Sequence, residues 1–172
     1  MKRINALPIL SAIVLSLMFS SCDNKTADDI TTVSSETTEQ TDADSVYDTQ
    51  SLAITVLNSV EFPQMIDTVD EQIISDTIGL TLADTESVCI KQQMMSVDLA
   101  EIIIVKASDG KLEAVVSELE KRKQALIDTF AFYPNQVASA EATVVGSKGG
   151  YAYLICHEEA DTAEDALLAV LK

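Results

Sequence analysis

The sequence predicts an α+β fold: an antiparallel sheet of about four strands in two hairpins, with helices packed mainly on one face. Two pairs of apolar, β-branched segments are each joined by a connection too short for a parallel crossover. Segments with apolar residues at helical spacing lie before, between and after these pairs. The predicted element order is therefore ααββαββα.

Two helices are predicted to precede the sheet. Ser45 and, three residues later, Asp48 resemble a capping box, and apolar residues then recur at helical spacing as far as Pro63. A second helix is predicted from Met65 to about Gly79, because residues 65, 69 and 73 are apolar and glycine commonly ends a helix.

The first predicted hairpin consists of SVCIKQQM and AEIIIVKA, with a turn over residues 95–99. AEIIIVKA has apolar residues on both faces, so it is predicted to be central in the sheet. A long helix with one apolar side is predicted to follow, from about Gly110 to Phe132.

The second predicted hairpin consists of EATVVG and YAYLICH, joined by SKGG. A short helical turn after Pro134 leads into it, and a final helix is predicted from about Asp161 to Leu171. Residues 46–172 are long enough for a single domain with a core of its own.

Residues 1–21 are predicted to be a signal peptide. Two basic residues precede an uncharged apolar run over residues 6–19, which contains Pro8 and is shorter than the about 20 residues that span a membrane. Two serines then stand directly before Cys22, and this stretch resembles a bacterial lipoprotein signal, the lipobox. The resemblance implies that Cys22 is the lipid attachment site and the mature N-terminus. Phe19 stands where leucine is usual, which leaves an uncleaved anchor or a plain secretory signal as alternatives.

Residues 22–45 are predicted to be a disordered tether, because they are rich in Ser, Thr and acidic residues and contain little to bury. Two acyl chains on Cys22 would give stable attachment to membrane lipid. The predicted location is therefore the extracytoplasmic face of the bacterial cell membrane.

The net charge of the chain argues against binding to nucleic acid. The chain has 11 basic and 28 acidic residues, and loss of Lys2 and Arg3 with the signal would leave nine against 28, a net charge of −19. Such a chain repels nucleic acid and anionic lipid. No calcium-loop pattern occurs, and no metal or cofactor ligands are predicted.

From about Met65 to Leu171 the chain resembles an uncharacterised bacterial lipoprotein family, domain of unknown function four-three-five-eight. The segments AEIIIVKA, LEKRKQ, FYPNQ and GGYAYLIC carry the resemblance, in that order. It implies an envelope lipoprotein of Gram-positive bacteria with no established activity and no catalytic residues to transfer. It also implies an association with membrane-bound O-acyltransferase machinery as a partner.

No catalytic residues are predicted. His157 directly follows Cys156 on a predicted strand, so the two side chains point to opposite faces and cannot form a dyad. Cys89 could meet His157 only if their strands were neighbours. The favoured interpretation is that Cys89 and Cys156 are buried thiols, with a disulfide between them as the alternative.

Arg122 is the most specific candidate in the predicted domain. It lies three residues after Leu119 and four before Leu126, within the apolar side of the long helix, so its guanidinium needs a partner. Glu101, at the start of the central strand, is the predicted one. The favoured interpretation is a buried ion pair, and the alternative is a groove in which Arg122 binds an anionic ligand.

The predicted function is that of a membrane-anchored extracytoplasmic lipoprotein acting as a binding or accessory module in the cell envelope. Beyond membrane lipid, the predicted partner is an envelope protein or wall polymer, and the domain itself is predicted to be a monomer. The alternative is a small cell-envelope hydrolase or transferase with an unmarked active site. An exposed apolar patch would favour the module, and a deep polar pocket would favour the enzyme.

Overall fold

A five-stranded antiparallel sheet forms the centre of residues 47–171, the part of the chain that the computed structural model describes. The strands lie in the order β1-β2-β3-β5-β4. Their bounds are β1 Met65–Asp67, β2 Thr85–Gln93, β3 Glu101–Ala107, β4 Val144–Lys148 and β5 Tyr151–Cys156. The predicted α+β class is confirmed, with one strand more than predicted.

Helices cover both faces of this sheet. They are α1 Thr49–Leu57, α2 Glu71–Ile73, α3 Leu112–Ala125, α4 Pro134–Ala142 and α5 Ala160–Val170. Two of them end in π-helical turns: Ile74–Ile78 continues α2 and Leu126–Phe130 continues α3. No helix within residues 47–171 is long and apolar enough to cross a membrane.

The prediction that helices lie mainly on one face is wrong. On one face, Ile103 and Val105 of β3 pack with residues of α3, α4 and the π-helical turn that continues α2. On the other face, Ile102 and Ile104 pack with residues of α1 and α5. All four are fully buried. A strand that is apolar on both faces needs cover on both, so the run EIIIV that places β3 at the centre also requires the second helical layer.

The second predicted helix is wrong in its first part. Met65–Asp67 is an edge strand, with Met65 paired to Gln93 of β2. The helix begins only after Asp70, whose carboxylate accepts hydrogen bonds from the backbone N–H groups of Gln72 and Ile73. This segment ends at Gly79 as predicted, in the left-handed conformation at φ 81° that glycine adopts without strain.

Two smaller boundaries also differ from the predictions, and one agrees. Asp48 is itself the N-cap of α1, with its side chain accepting from the Ser51 N–H, and is not the third residue of a capping box. The turn after Pro134 is a nine-residue helix, so Glu141 and Ala142 belong to α4 and not to the following strand. The hairpin between β4 and β5 is found where it was predicted.

The predicted signal peptide, Cys22 and the predicted tether lie outside the described residues. The described chain begins at Tyr47, whose ring packs edge-on against that of Tyr151 at the start of β5, with centroids 6.4 Å apart. The Tyr151 hydroxyl donates to the Tyr47 carbonyl oxygen at 2.6 Å. The chain therefore enters the domain beside the first residue of β5.

Candidate functional site

Arg122 of α3 and Glu101 of β3 form a buried, two-pronged ion pair. The Arg122 Nε donates to Glu101 Oε2 at 2.8 Å, and its Nη2 donates to Oε1 at 3.1 Å. The two side chains are 3% and 1% exposed. This parallel geometry matches the planar fork of a guanidinium to the two oxygens of a carboxylate.

The polar partners of the pair extend it across the sheet. Gln92 faces Glu101 in the register of β2 and β3, and its side-chain amide donates to Glu101 Oε1 at 2.8 Å. Its carbonyl oxygen in turn accepts from the Thr68 hydroxyl at 2.6 Å. On the other side, Arg122 Nη1 donates to the Thr77 carbonyl oxygen at 3.2 Å. The network thus links β2, β3, α3, the π-helical turn of α2 and Thr68, the residue that follows β1.

This network is saturated by the protein itself. Each of the three guanidinium nitrogens of Arg122 has a protein acceptor, and the Phe130 ring covers the group with its centroid 4.8 Å from Cζ. Among residues 47–171, no buried side-chain nitrogen or oxygen lacks a partner. Because neither charge is reachable from solvent, the geometry is that of a structural pair and not of an open anion site.

The two cysteines of the described domain are free, buried and on opposite faces of the sheet. Burial raises the pKa of both thiols to about 11. They form no disulfide with each other. A thiol that remains protonated at neutral pH is a poor nucleophile, so neither position is suited to thiolate chemistry.

His157 is not placed to activate either thiol. Strand β3 separates β2, which carries Cys89, from β5, which His157 follows. The His157 Nδ1 accepts from the Glu159 N–H at 3.1 Å, and Nε2 lies 3.3 Å from the Glu61 carbonyl oxygen. Phe62 packs against the ring, with centroids 4.5 Å apart. Through these contacts His157 connects the loop after α1 to the loop before α5.

An exposed apolar surface lies at this same end of the sheet, and it is named here the end patch. It consists of six side chains from the β2–β3 turn and the start of α4, each between 38% and 79% exposed: Met94, Met95, Val97, Phe132, Tyr133 and Val137. Singly exposed apolar residues are common, but a group of six on two adjoining segments is characteristic of an interaction site.

Gln136, which is 3% exposed, holds the two segments of the end patch together. Its carbonyl oxygen accepts from the backbone N–H groups of Phe132 and Tyr133, at 2.9 and 3.2 Å. Its amide nitrogen donates to the Ser96 carbonyl oxygen at 2.8 Å. Asn135 adds a hydrogen bond of 3.1 Å to the Val97 carbonyl oxygen. The patch therefore has a fixed backbone beneath its side chains.

An acidic cleft of about 440 Å³ adjoins the end patch. It is lined by three loops, over residues 61–63, 98–100 and 157–159, and by α4. Its acidic residues are Glu61, Asp98, Glu158 and Glu159. Asn135 lines the cleft while bonding to the patch residue Val97, so the two features are continuous. None of the described residues that line the cleft is a lysine or arginine.

The end patch and the cleft lie at the opposite end of the sheet from Tyr47. The chain enters beside Tyr151, and the cleft is lined by His157, which follows the last residue of β5. Six residues of extended strand separate these points by roughly 20 Å. The two ends of β5 thus have different surroundings: Tyr47, the first described residue, lies at one, and the apolar and acidic surfaces lie at the other.

Sequence reasoning placed Glu101 and Arg122 but missed the end patch and its clamp. The turn over residues 95–99 contains Met95 and Val97 between polar residues, and apolar residues in a turn are a signal of an exposed apolar surface. The segment FYPNQ gave a second signal, because two aromatic residues stand there at a helix start. The hydrogen bond from Gln136 to Ser96 joins residues 40 positions apart and has no local sequence signal.

Comparison with known proteins gives one match. A family model described as "Domain of unknown function (DUF4358)" matches residues 58–157, more than half of the chain. The matched range contains the buried ion pair, the end patch and most of the cleft. No curated protein and no solved structure matches the chain.

Proposed function

The chain belongs to the family described as a domain of unknown function, DUF4358, and on that premise we propose that it is a membrane-anchored extracytoplasmic lipoprotein. Its folded domain acts as a binding or accessory module in the cell envelope. The proposal has two parts, an anchor at Cys22 and a binding surface on the domain, and each is supported by a different observation.

The end patch is the observation that carries the binding part. Methionine and aromatic residues are enriched in protein interfaces, and the patch has two methionines, a phenylalanine and a tyrosine among six side chains. Methionine adapts to the shape of a partner, and aromatic side chains provide large contact areas with few rotatable bonds. A surface of this composition on a fixed backbone is suited to holding a protein partner.

The anchor part is supported by the sequence that precedes the domain. The apolar run over residues 6–19, the two serines and Cys22 resemble a lipoprotein signal, and the acidic stretch after them is long enough to separate the domain from the membrane surface. A hydrolase or transferase is the weaker candidate, because both thiols have a raised pKa and His157 contacts backbone groups of two loops.

Metabolic labelling with a fatty acid tests the anchor. We expect the full-length chain and its Cys89→Ala variant to carry label and to fractionate with membranes. The Cys22→Ala variant should carry none, because the acyl acceptor is lost. Undiminished label on Cys22→Ala would contradict the anchor.

Crosslinking in intact cells tests the binding surface. A photoreactive residue at Phe132 should give a defined crosslinked protein, whereas the same group at Ile54 of α1, an exposed apolar position away from the patch, should not. Equal crosslinking at both positions, or none at Phe132, would contradict the module.

A further inference from the structure

We propose that the end patch and the acidic cleft together bind a segment of a partner protein that carries both basic and apolar side chains. This inference deepens the proposed function and rests on it. It specifies the chemistry of the partner: lysine or arginine side chains for the cleft, and aliphatic or aromatic side chains for the patch.

The cleft supplies the preference for positive charge. Four acidic residues line this one depression, and no lysine or arginine lines it within the described chain. Several basic residues occupy the other end of the sheet, where Lys106 and Lys148 reach carbonyl oxygens of Gly149 and Leu168 and Lys111 pairs with Asp84. The field at the patch end is therefore negative, and it attracts a cationic segment while repelling an anionic one.

The patch supplies the requirement for apolar groups. A purely cationic polymer would satisfy the cleft and leave six apolar side chains in water, so it would gain only the electrostatic part of the interaction. A partner with both kinds of side chain buries the patch, from which most of the binding free energy is expected. An apolar area bordered by polar groups is the usual organisation of a protein interface.

The position of the patch argues against lipid as its occupant. Four carboxylates beside the patch would repel a surface of anionic headgroups. A cationic segment of a partner protein meets no such repulsion.

Selection from a displayed library of random short peptides, on the full-length chain in detergent micelles, tests the chemistry. We expect the enriched peptides to combine lysine or arginine with aliphatic or aromatic residues. An enriched peptide, made synthetically, should bind about tenfold or more weakly to two double variants: Val97→Ser with Phe132→Ser, and Glu158→Gln with Glu159→Gln. Added salt should weaken its binding to the unmodified chain.

Two control variants separate the site from the general acidity of the chain. Ile54→Ser removes an equally apolar, half-exposed side chain from α1, and Glu113→Gln removes a carboxylate from the groove between α3 and β4. Both should bind the peptide as the unmodified chain does.

Enrichment of neutral or acidic peptides, or equal binding by all variants, would overturn the inference. Binding of phosphatidylglycerol vesicles that the two patch substitutions abolish would overturn it as well, in favour of a lipid surface. If crosslinking from Phe132 still identifies a protein, only the cationic chemistry fails. If that crosslink is absent too, the proposed binding function fails with it.

Discussion

The Glu101–Arg122 pair and the end patch lie near the same end of the sheet and reverse the usual distribution of side chains. The pair places two charges where apolar residues are expected, and the patch places six apolar side chains where polar residues are expected. Each side-chain nitrogen and carboxylate oxygen of the pair has a partner inside the domain, whereas the patch side chains face solvent. The first is satisfied by the fold, and the second needs another molecule.

The difference separates residues that hold the structure from residues that are available for function. Burying a charge costs several kcal/mol unless geometry and hydrogen bonds compensate, so a saturated pair contributes chiefly to which structure forms. An exposed apolar group contributes almost nothing to folding, but it gains free energy when a partner covers it. Substitutions should therefore affect stability at the pair and binding at the patch.

The largest effect on stability is expected at the ion pair. Arg122→Ala leaves the Glu101 carboxylate buried without its partner, so the free energy of unfolding should fall by about 3–5 kcal/mol. Glu101→Gln should be similarly costly, and the double variant should lose much less than the sum, because the two side chains act as one unit. Denaturant unfolding of all three variants measures this.

A matched replacement sharpens the result. Methionine at both positions removes the charges while filling the space, and it should restore most of the stability lost in Arg122→Ala. Near-neutral single variants, combined with loss of peptide binding, would show instead that Arg122 belongs to the binding surface.

The next effect concerns the two buried thiols, which are neutral where the pair is charged. Their pKa values are about 11 in the folded chain against 9.0 when exposed, so folding favours the protonated form. The resulting stability is fully present below pH 9 and is lost as pH rises from 9 to 11, by up to roughly 2–3 kcal/mol for Cys156 and by less for Cys89, which is less deeply enclosed.

Denaturant unfolding at several alkaline pH values measures the contribution of the thiols. The slope between pH 9 and 11 should be shallower for Cys156→Ala and Cys89→Ala than for the unmodified chain, whatever their stability at neutral pH. Identical slopes would show that burial does not hold these thiols protonated.

The smallest effect on stability is expected where the patch meets the fold, at Gln136. Gln136→Ala leaves two backbone N–H groups and the Ser96 carbonyl oxygen without their partner and should cost about 1–3 kcal/mol. Phe132→Ser, on the same surface, should change stability by less than about 0.5 kcal/mol. Both should weaken peptide binding, because Gln136→Ala releases the two segments of the patch from each other and Phe132→Ser removes one of its apolar side chains. A large loss of stability in Phe132→Ser would show that the patch belongs to the core.

Sequence patterns predicted those parts of the fold for which the residues of one segment are sufficient to indicate its type and its place in the sheet. The EIIIV run identified the central strand, and SKGG identified the hairpin between β4 and β5. Strand β1 has only three residues, too few for a period, and the apolar positions at 65, 69 and 73 suggested a helix that Asp70 in fact begins. The apolar residues on both faces of β3 indicate that helices must pack on both faces of the sheet, which differs from the predicted single helical layer.

The same limit applies to the site. Arg122 could be assigned to the apolar side of a helix because its neighbours at three and four residues are leucines, and Glu101 was the carboxylate nearest the sheet. The end patch could not be assigned, because exposure depends on whether other segments cover a turn. Residues 95–97 and 132–137 are joined by hydrogen bonds of Asn135 and Gln136, contacts between parts of the chain that no local pattern connects.

The two π-helical turns enclose Arg122, since Thr77 lies in one and Phe130 in the other. A π-helical turn holds an additional residue within a helix, so every position after it is rotated by roughly 100° relative to an uninterrupted α-helix. Loss of a single residue from Leu126–Phe130 would therefore turn the Phe130 ring away from the guanidinium while leaving the helix intact. The length of the chain between Leu126 and Phe130, and not the residue types alone, fixes the aromatic cover over the buried charge.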